Sequence, residues 1–169
     1  GSDHVLGDAD APVTLVEYGD YQCPHCGAAH PVVARVRQHF GKQLLFVYRH
    51  FPLTEIHPMA MSAAETAEFA GAHGHFWQMH DGLFENQDRL GLPLYVALAE
   101  ALGLPAAGLQ EVLASGEEVR KIQADFMGGV RSGVNGTPAF FINGQRHDGP
   151  YDFPYLVQAI ETRLARDGG

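Results

Sequence analysis

The sequence predicts an α/β fold in which a βαβ unit and a later ββα unit are separated by a helical insertion. Three observations carry this reading. Two apolar, β-branched runs, Val13 to Tyr18 and Leu44 to His50, flank one long helical pattern. Residues 57–133 show helical spacing and no strand signal. Strand character then returns at Ala139 to Asn143.

Taken in order, residues 1–12 read as an irregular lead-in and VTLVEY as a buried strand. Pro24 suits a first helical turn, and Val32, Val33, Val36 and Phe40 recur at helical spacing until Gly41 ends the run. Pro31 falls inside that helix, where it removes a backbone donor and predicts a kink. LLFVYRH completes a βαβ unit with parallel pairing. Four or five helices follow: His57 to Ala72, His75 to Glu85, Pro93 to Leu102, Pro105 to Ala114 and Glu117 to Val130. AFFIN then precedes Asn143-Gly144, a hairpin signal, and a last helix runs from about Asp152 to Arg166. The expected organisation is a lead-in at 1–12, one domain formed by 13–56 and 134–169, and a helical insert at 57–133.

With 169 residues, 46% of them hydrophobic, the chain can fill a core without crosslinks. A formal charge of -9 argues against nucleic acid as a partner, because phosphate backbones are held by clustered Lys and Arg. Apolar runs fall short of the roughly 18 to 20 residues a membrane helix needs. Gly1-Ser2 reads as a remnant of expression engineering, so an export signal removed from the N-terminus is compatible with the sequence, and location must come from the chemistry.

That chemistry centres on GDYQCPHCGAAHP, which holds both cysteines of the chain, Cys23 and Cys26. As a staple the pair is poorly placed, since so small a loop is worth about 2 kcal/mol at best. As a metal site it supplies two thiolates and needs histidines. His73, His75 and His80 are near in sequence, but His75 and His80 are five apart, whereas residues three or four apart share a helical face most directly, and no metal ligands are assigned. Motifs for a bound cofactor are absent too: there is no P-loop, G-x-S-x-G or dinucleotide fingerprint.

As a redox centre the stretch has what thiol exchange requires. A cysteine at a helix start meets unsatisfied amides and the positive dipole end, which lower its pKa and make it both nucleophile and leaving group. Cys26, one turn on, is the candidate resolving thiol, and His25 between them is placed to stabilise the Cys23 anion. Stabilising the reduced form makes the couple oxidising. Glu17 alternates onto the face of Val13 and Leu15; it either reaches water at the strand end or is a buried carboxylate kept to exchange protons with Cys26. Pro138 belongs at the first position of its strand, and the Thr137-Pro138 bond is trans by default, while a cis bond would offer backbone to an extended substrate. Arg49 and His50 end the second strand and either influence Cys23 or form an exposed strand end.

The strand leading into CPHC, the proline five residues after Cys26, and the Thr-Pro before a late hairpin strand together resemble the thioredoxin superfamily, and more narrowly the DsbA-like thiol:disulfide oxidoreductases. The resemblance spans residues 11–166 and implies a thioredoxin fold (βαβ … ββα) with a helical insertion between the second and third strands. It implies Cys23 as attacking thiol, Cys26 as resolving thiol, Pro24 and His25 as the tuning pair, Glu17 as a functional buried acid, and a cis Thr137-Pro138 bond beside Cys23 that receives substrate. Thr137 departs from the valine of the best-known periplasmic oxidases, which leaves the strength of the oxidant open.

The function implied is an oxidase that donates the Cys23–Cys26 disulfide to reduced client proteins or peptides and is reoxidised by a quinone-linked membrane partner. It would act as a monomer in the periplasm or cell envelope. The alternatives are a cytoplasmic dithiol reductase or antioxidant protein, or a metal-binding or holdase module.

Overall fold

The computed structural model describes residues 3–167, so Gly1-Ser2 at the start and the two closing glycines lie outside the described residues. Its elements run β1 (His4–Gly7), β2 (Val13–Gly19), α1 (Pro24–Phe40), β3 (Leu44–His50), then five helices, α2 (Ala60–Ala72), α3 (Phe76–Glu85), α4 (Leu92–Ala101), α5 (Ala106–Ser115) and α6 (Val119–Arg131). They close with β4 (Ala139–Ile142), β5 (Gln145–His147) and α7 (Phe153–Asp167). The sheet order is β1-β3-β2-β4-β5. β2 is central, parallel to β3 and antiparallel to β4. This is the thioredoxin arrangement, with the five-helix insert between β3 and β4.

One element departs from the expected lead-in: His4–Gly7 is a strand, antiparallel to β3. Four residues with an alternating burial pattern carry little signal alone; they pair because β3 would otherwise leave an edge of unpaired backbone groups. The helix expected from His57 begins at Ala60, and Pro31 lies within a single α1.

The central strands are apolar on both faces, and the two faces build two cores. Val13 and Leu15 point with α1, α3 and α7 into the larger one, where Val33, Val36, Met79, Leu83, Leu156 and Ile160 are buried. Val16 and Tyr18 point to the other, with Val47, Phe51 and Phe141, and Phe126 of α6 stacks on Phe51 at 4.2 Å. Gly129 is required on this side, because a Cβ there would lie 2.8 Å from the Phe51 ring and 3.0 Å from that of Tyr18. The hairpin takes the expected form: Asn143 and Gly144 both have positive φ (49° and 83°), the conformation a tight two-residue connection needs.

Candidate active site

The parallel strand β2 delivers the chain to the start of α1, and a short turn makes the junction. Asp20 builds that turn. Its carboxylate accepts from the amides of Gln22 (2.8 Å) and Leu53 (2.9 Å) and from His57 Nδ1 (2.7 Å), while its carbonyl accepts from the Cys23 amide at 3.1 Å. One buried acid thus ties the cysteine loop to the segment after β3. From the insert, Gln87 Nε2 donates to the carbonyls of Tyr21 (2.9 Å) and Cys23 (2.7 Å). No motif or periodicity in the sequence marks Asp20 or Gln87.

Cys23 is the N-cap of α1 and Pro24 its first helical residue, where a missing N–H costs nothing. Cys23 is 4% exposed, Cys26 is fully buried, and both are free thiols. Their acidities are driven apart. The Cys26 thiol as donor, then the Thr137 hydroxyl and the backbone amides of Cys26 and His25, hold Cys23 down at about 5 against the opposing effect of burial. Burial, the hydrogen bond given to Cys23 and the Glu17 charge push Cys26 well above the ordinary thiol range. One sulfur is therefore a thiolate at neutral pH and its neighbour a thiol. His25 acts on Cys23 through its backbone amide, and the residue is exposed.

Thr137 and Pro138 lie across from Cys23, joined by a cis peptide bond. The Cys23 thiol donates to the Thr137 carbonyl at 3.6 Å. In this protonated geometry the Thr137 hydroxyl is buried without a partner. When Cys23 ionises, the sulfur loses its own proton, and that hydroxyl is free to donate to it, which is the sense in which it lowers the thiol's pKa. Beside this loop, Asn135, Gly136, Phe140, His147 and Tyr151 line a cleft of about 310 Å³.

Glu17 is 2% exposed, so the strand-end reading in which it reaches water is wrong: β3 and β4 flank it on both sides. Its Oε2 has no hydrogen-bond partner. Burial, reinforced by the Cys23 charge, pushes its carboxyl up to about 8. A neutral carboxylic acid thus sits under the dithiol at pH 7.

The exposed strand end expected of Arg49 and His50 fails for His50, which is buried. Arg49 pairs with Asp3 at 2.9 Å and donates to the Tyr18 hydroxyl. His50 is buried and lies 2.8 Å from Glu68 Oε2. The same carboxylate oxygen is 2.6 Å from His4 Nε2 and 3.6 Å from Lys121 Nζ. The hydrogen bonds from both imidazoles and the charges of His50 and Lys121 outweigh burial and hold the Glu68 carboxyl far below its ordinary value.

Comparison with known proteins agrees with this architecture. A family model described as "Thioredoxin" matches residues 1–162. The oxidised crystal structure of BdbD from Bacillus subtilis superposes with a TM-score of 0.88 at 24% identity, covering 96% of this chain and 93% of that one. Alpha-DsbA1 of Wolbachia pipientis gives 0.86 at 22% identity, covering 98% and 92%. A thioredoxin-like oxidoreductase from Silicibacter pomeroyi gives 0.84 at 26% identity, covering 97% and 92%. In sequence, the chain is 44% identical over 163 residues to a protein named Na(+)/H(+) antiporter NhaA 1 in Salinispora arenicola, covering 96% of this chain and 25% of that protein. It is likewise 44% identical over 162 residues to a protein of the same name in Mycobacterium sp., covering 95% of this chain and 26% of the relative. The chain spans about a quarter of the length of these curated relatives. The chain belongs to the thioredoxin family and shares the insert-bearing fold of DsbA-type proteins.

Proposed function

We propose that this chain is a thiol:disulfide oxidoreductase acting as an oxidase, which donates a Cys23–Cys26 disulfide to reduced client proteins. The observation that carries the reading is the opposition of the two sulfurs: Cys23 is held down at about 5 at the start of α1 and Cys26 is held up behind it. A thiolate so stabilised favours the reduced enzyme, which makes the disulfide a good electron acceptor.

An extended client segment lies along Thr137 and Pro138, where Gly136 leaves open space over the backbone. A client thiolate attacks Cys23 Sγ, the S–S bond breaks, and Cys26 leaves with the bonding pair. Cys26 takes a proton as it leaves, because it is strongly disfavoured as an anion, and the protonated Glu17 is the buried acid placed to supply it. A second client thiolate then attacks the client sulfur of the mixed disulfide and expels Cys23 as a thiolate. Two electrons have passed to the enzyme and one disulfide to the client. A quinone-linked membrane partner that removes those electrons, with the chain in the periplasm or cell envelope, completes the cycle. Relatives named Na(+)/H(+) antiporter NhaA, of which this chain matches about a quarter, fit a membrane-proximal setting.

Equilibrium titration against glutathione, with the Cys23 pKa read from thiolate absorbance, tests the proposal. A potential near about -120 to -180 mV is expected, and one as low as thioredoxin's, about -270 mV, would identify a reductase instead.

A further inference from the structure

Among the described residues, two clusters of metal-ligating side chains lie outside the dithiol, and they differ in what already fills them. In the first, His4, His50 and Glu68, both imidazoles converge on the same Glu68 oxygen at 2.6 and 2.8 Å, and the ammonium of Lys121 stands 3.6 Å from it. That carboxylate has its cation. The second, His30, His80 and Asp81, is built differently. Its donor atoms, from α1 and α3, lie within 4.8 Å of one another, with His30 Nε2 at 3.3 Å from Asp81 Oδ1. The three line a cavity of about 180 Å³.

The tuning of each group suits a cation. His80 Nδ1 is 2.8 Å from the Tyr21 hydroxyl, a contact that fixes the ring and leaves Nε2 as its remaining donor atom. An independent observation points into the same cavity: Glu17 forms part of its wall, and Glu17 Oε2 is buried without a partner. Glu85 also lines it, against the single guanidinium of Arg37. Two imidazoles and a carboxylate, with room for water, match the preferences of zinc-class ions rather than calcium or magnesium.

We propose that His30, His80 and Asp81 form a binding site for a divalent ion of the zinc class, with water completing its coordination and the Glu17 carboxyl facing it. The site stands whether or not the chain is an oxidase, since it uses neither sulfur. Helical spacing could not reveal it, because its members come from two helices 50 residues apart in sequence, as His30 and His80 show.

The test is calorimetric titration of zinc chloride into the oxidised protein at pH 7.5, where the disulfide removes both thiols as ligands. One ion per chain is expected. His30→Ala and Asp81→Asn, both at the cavity rim, each weaken binding at least tenfold, whereas His4→Ala leaves it unchanged. With copper(II), electron paramagnetic resonance should show nitrogen coupling that falls from two imidazoles to one in His30→Ala. The proposal is overturned if no zinc binds up to about 1 mM, if both rim variants bind as the parent does, if His4→Ala abolishes binding, or if only the reduced protein binds.

Discussion

Replacing Glu17 by glutamine tests the buried acid through stability rather than through catalysis. In the unfolded chain the carboxyl titrates near its ordinary 4.5, whereas in the folded protein it titrates at about 8. Between those values the unfolded state has lost a proton that the native state keeps, so stability conferred below pH 4.5 drains away as pH rises and is gone above about 8. At about 1.4 kcal/mol per pH unit the interval amounts to about 5 kcal/mol, of which about 3 kcal/mol is lost by pH 7. Glutamine has nearly the same shape and does not titrate, and its amide brings a desolvation cost of about 1 to 3 kcal/mol at every pH. Glu17→Gln should therefore be no more stable than the parent at pH 4.5 and more stable at pH 8, the gap opening by several kcal/mol between them. Urea unfolding followed by far-ultraviolet circular dichroism measures it. The oxidised protein is the right sample, since the disulfide takes both cysteines out of the titration and burial, the larger cause of the Glu17 shift, remains. A stability difference between variant and parent that stays constant from pH 4.5 to 8 would refute the reasoning.

Two further outcomes follow from the same geometry. Carboxymethylation of the reduced protein should reach half its maximal rate near pH 5 and be flat by pH 7, with label found on Cys23 and not on Cys26; a rate still climbing through pH 8 would mean an ordinary thiol. Gln87→Ala removes both donors to the carbonyls of Tyr21 and Cys23 and should lower stability by about 1 to 3 kcal/mol in urea unfolding, with the loss larger than for substitution of the exposed neighbour Asp88.

Much of the molecule is legible in the sequence where the signal is local. The β2 and β3 runs, the helix start at Pro24, the breaks between insert helices and the Asn143-Gly144 turn each state their conformation within a few residues. What escaped depends on distant partners. β1 is a strand only because β3 lies beside it. Gln87 reaches the cysteine loop from 64 residues away, with no periodicity to announce it. His25 illustrates a different limit: its place between the cysteines suggests a role for the ring, while the contact with the sulfur that the structure shows is made by its backbone amide. For Glu17 the alternation pattern alone balances burial against exposure, the family resemblance favours burial, and the neighbouring strands enclose it.

The Glu68 cluster bears on what the insert is. Its carboxylate stands on α2, His50 on β3, His4 on β1 and Lys121 on α6, so one oxygen joins the sheet's edge to the first and last helices of the insert. Excising residues 57–133 to leave a minimal sheet would strand two histidines without their anion, one of them fully enclosed. The insert is a module in topology but not in energetics, and shortening this chain toward a bare thioredoxin requires redesigning β1 and the end of β3 at the same time.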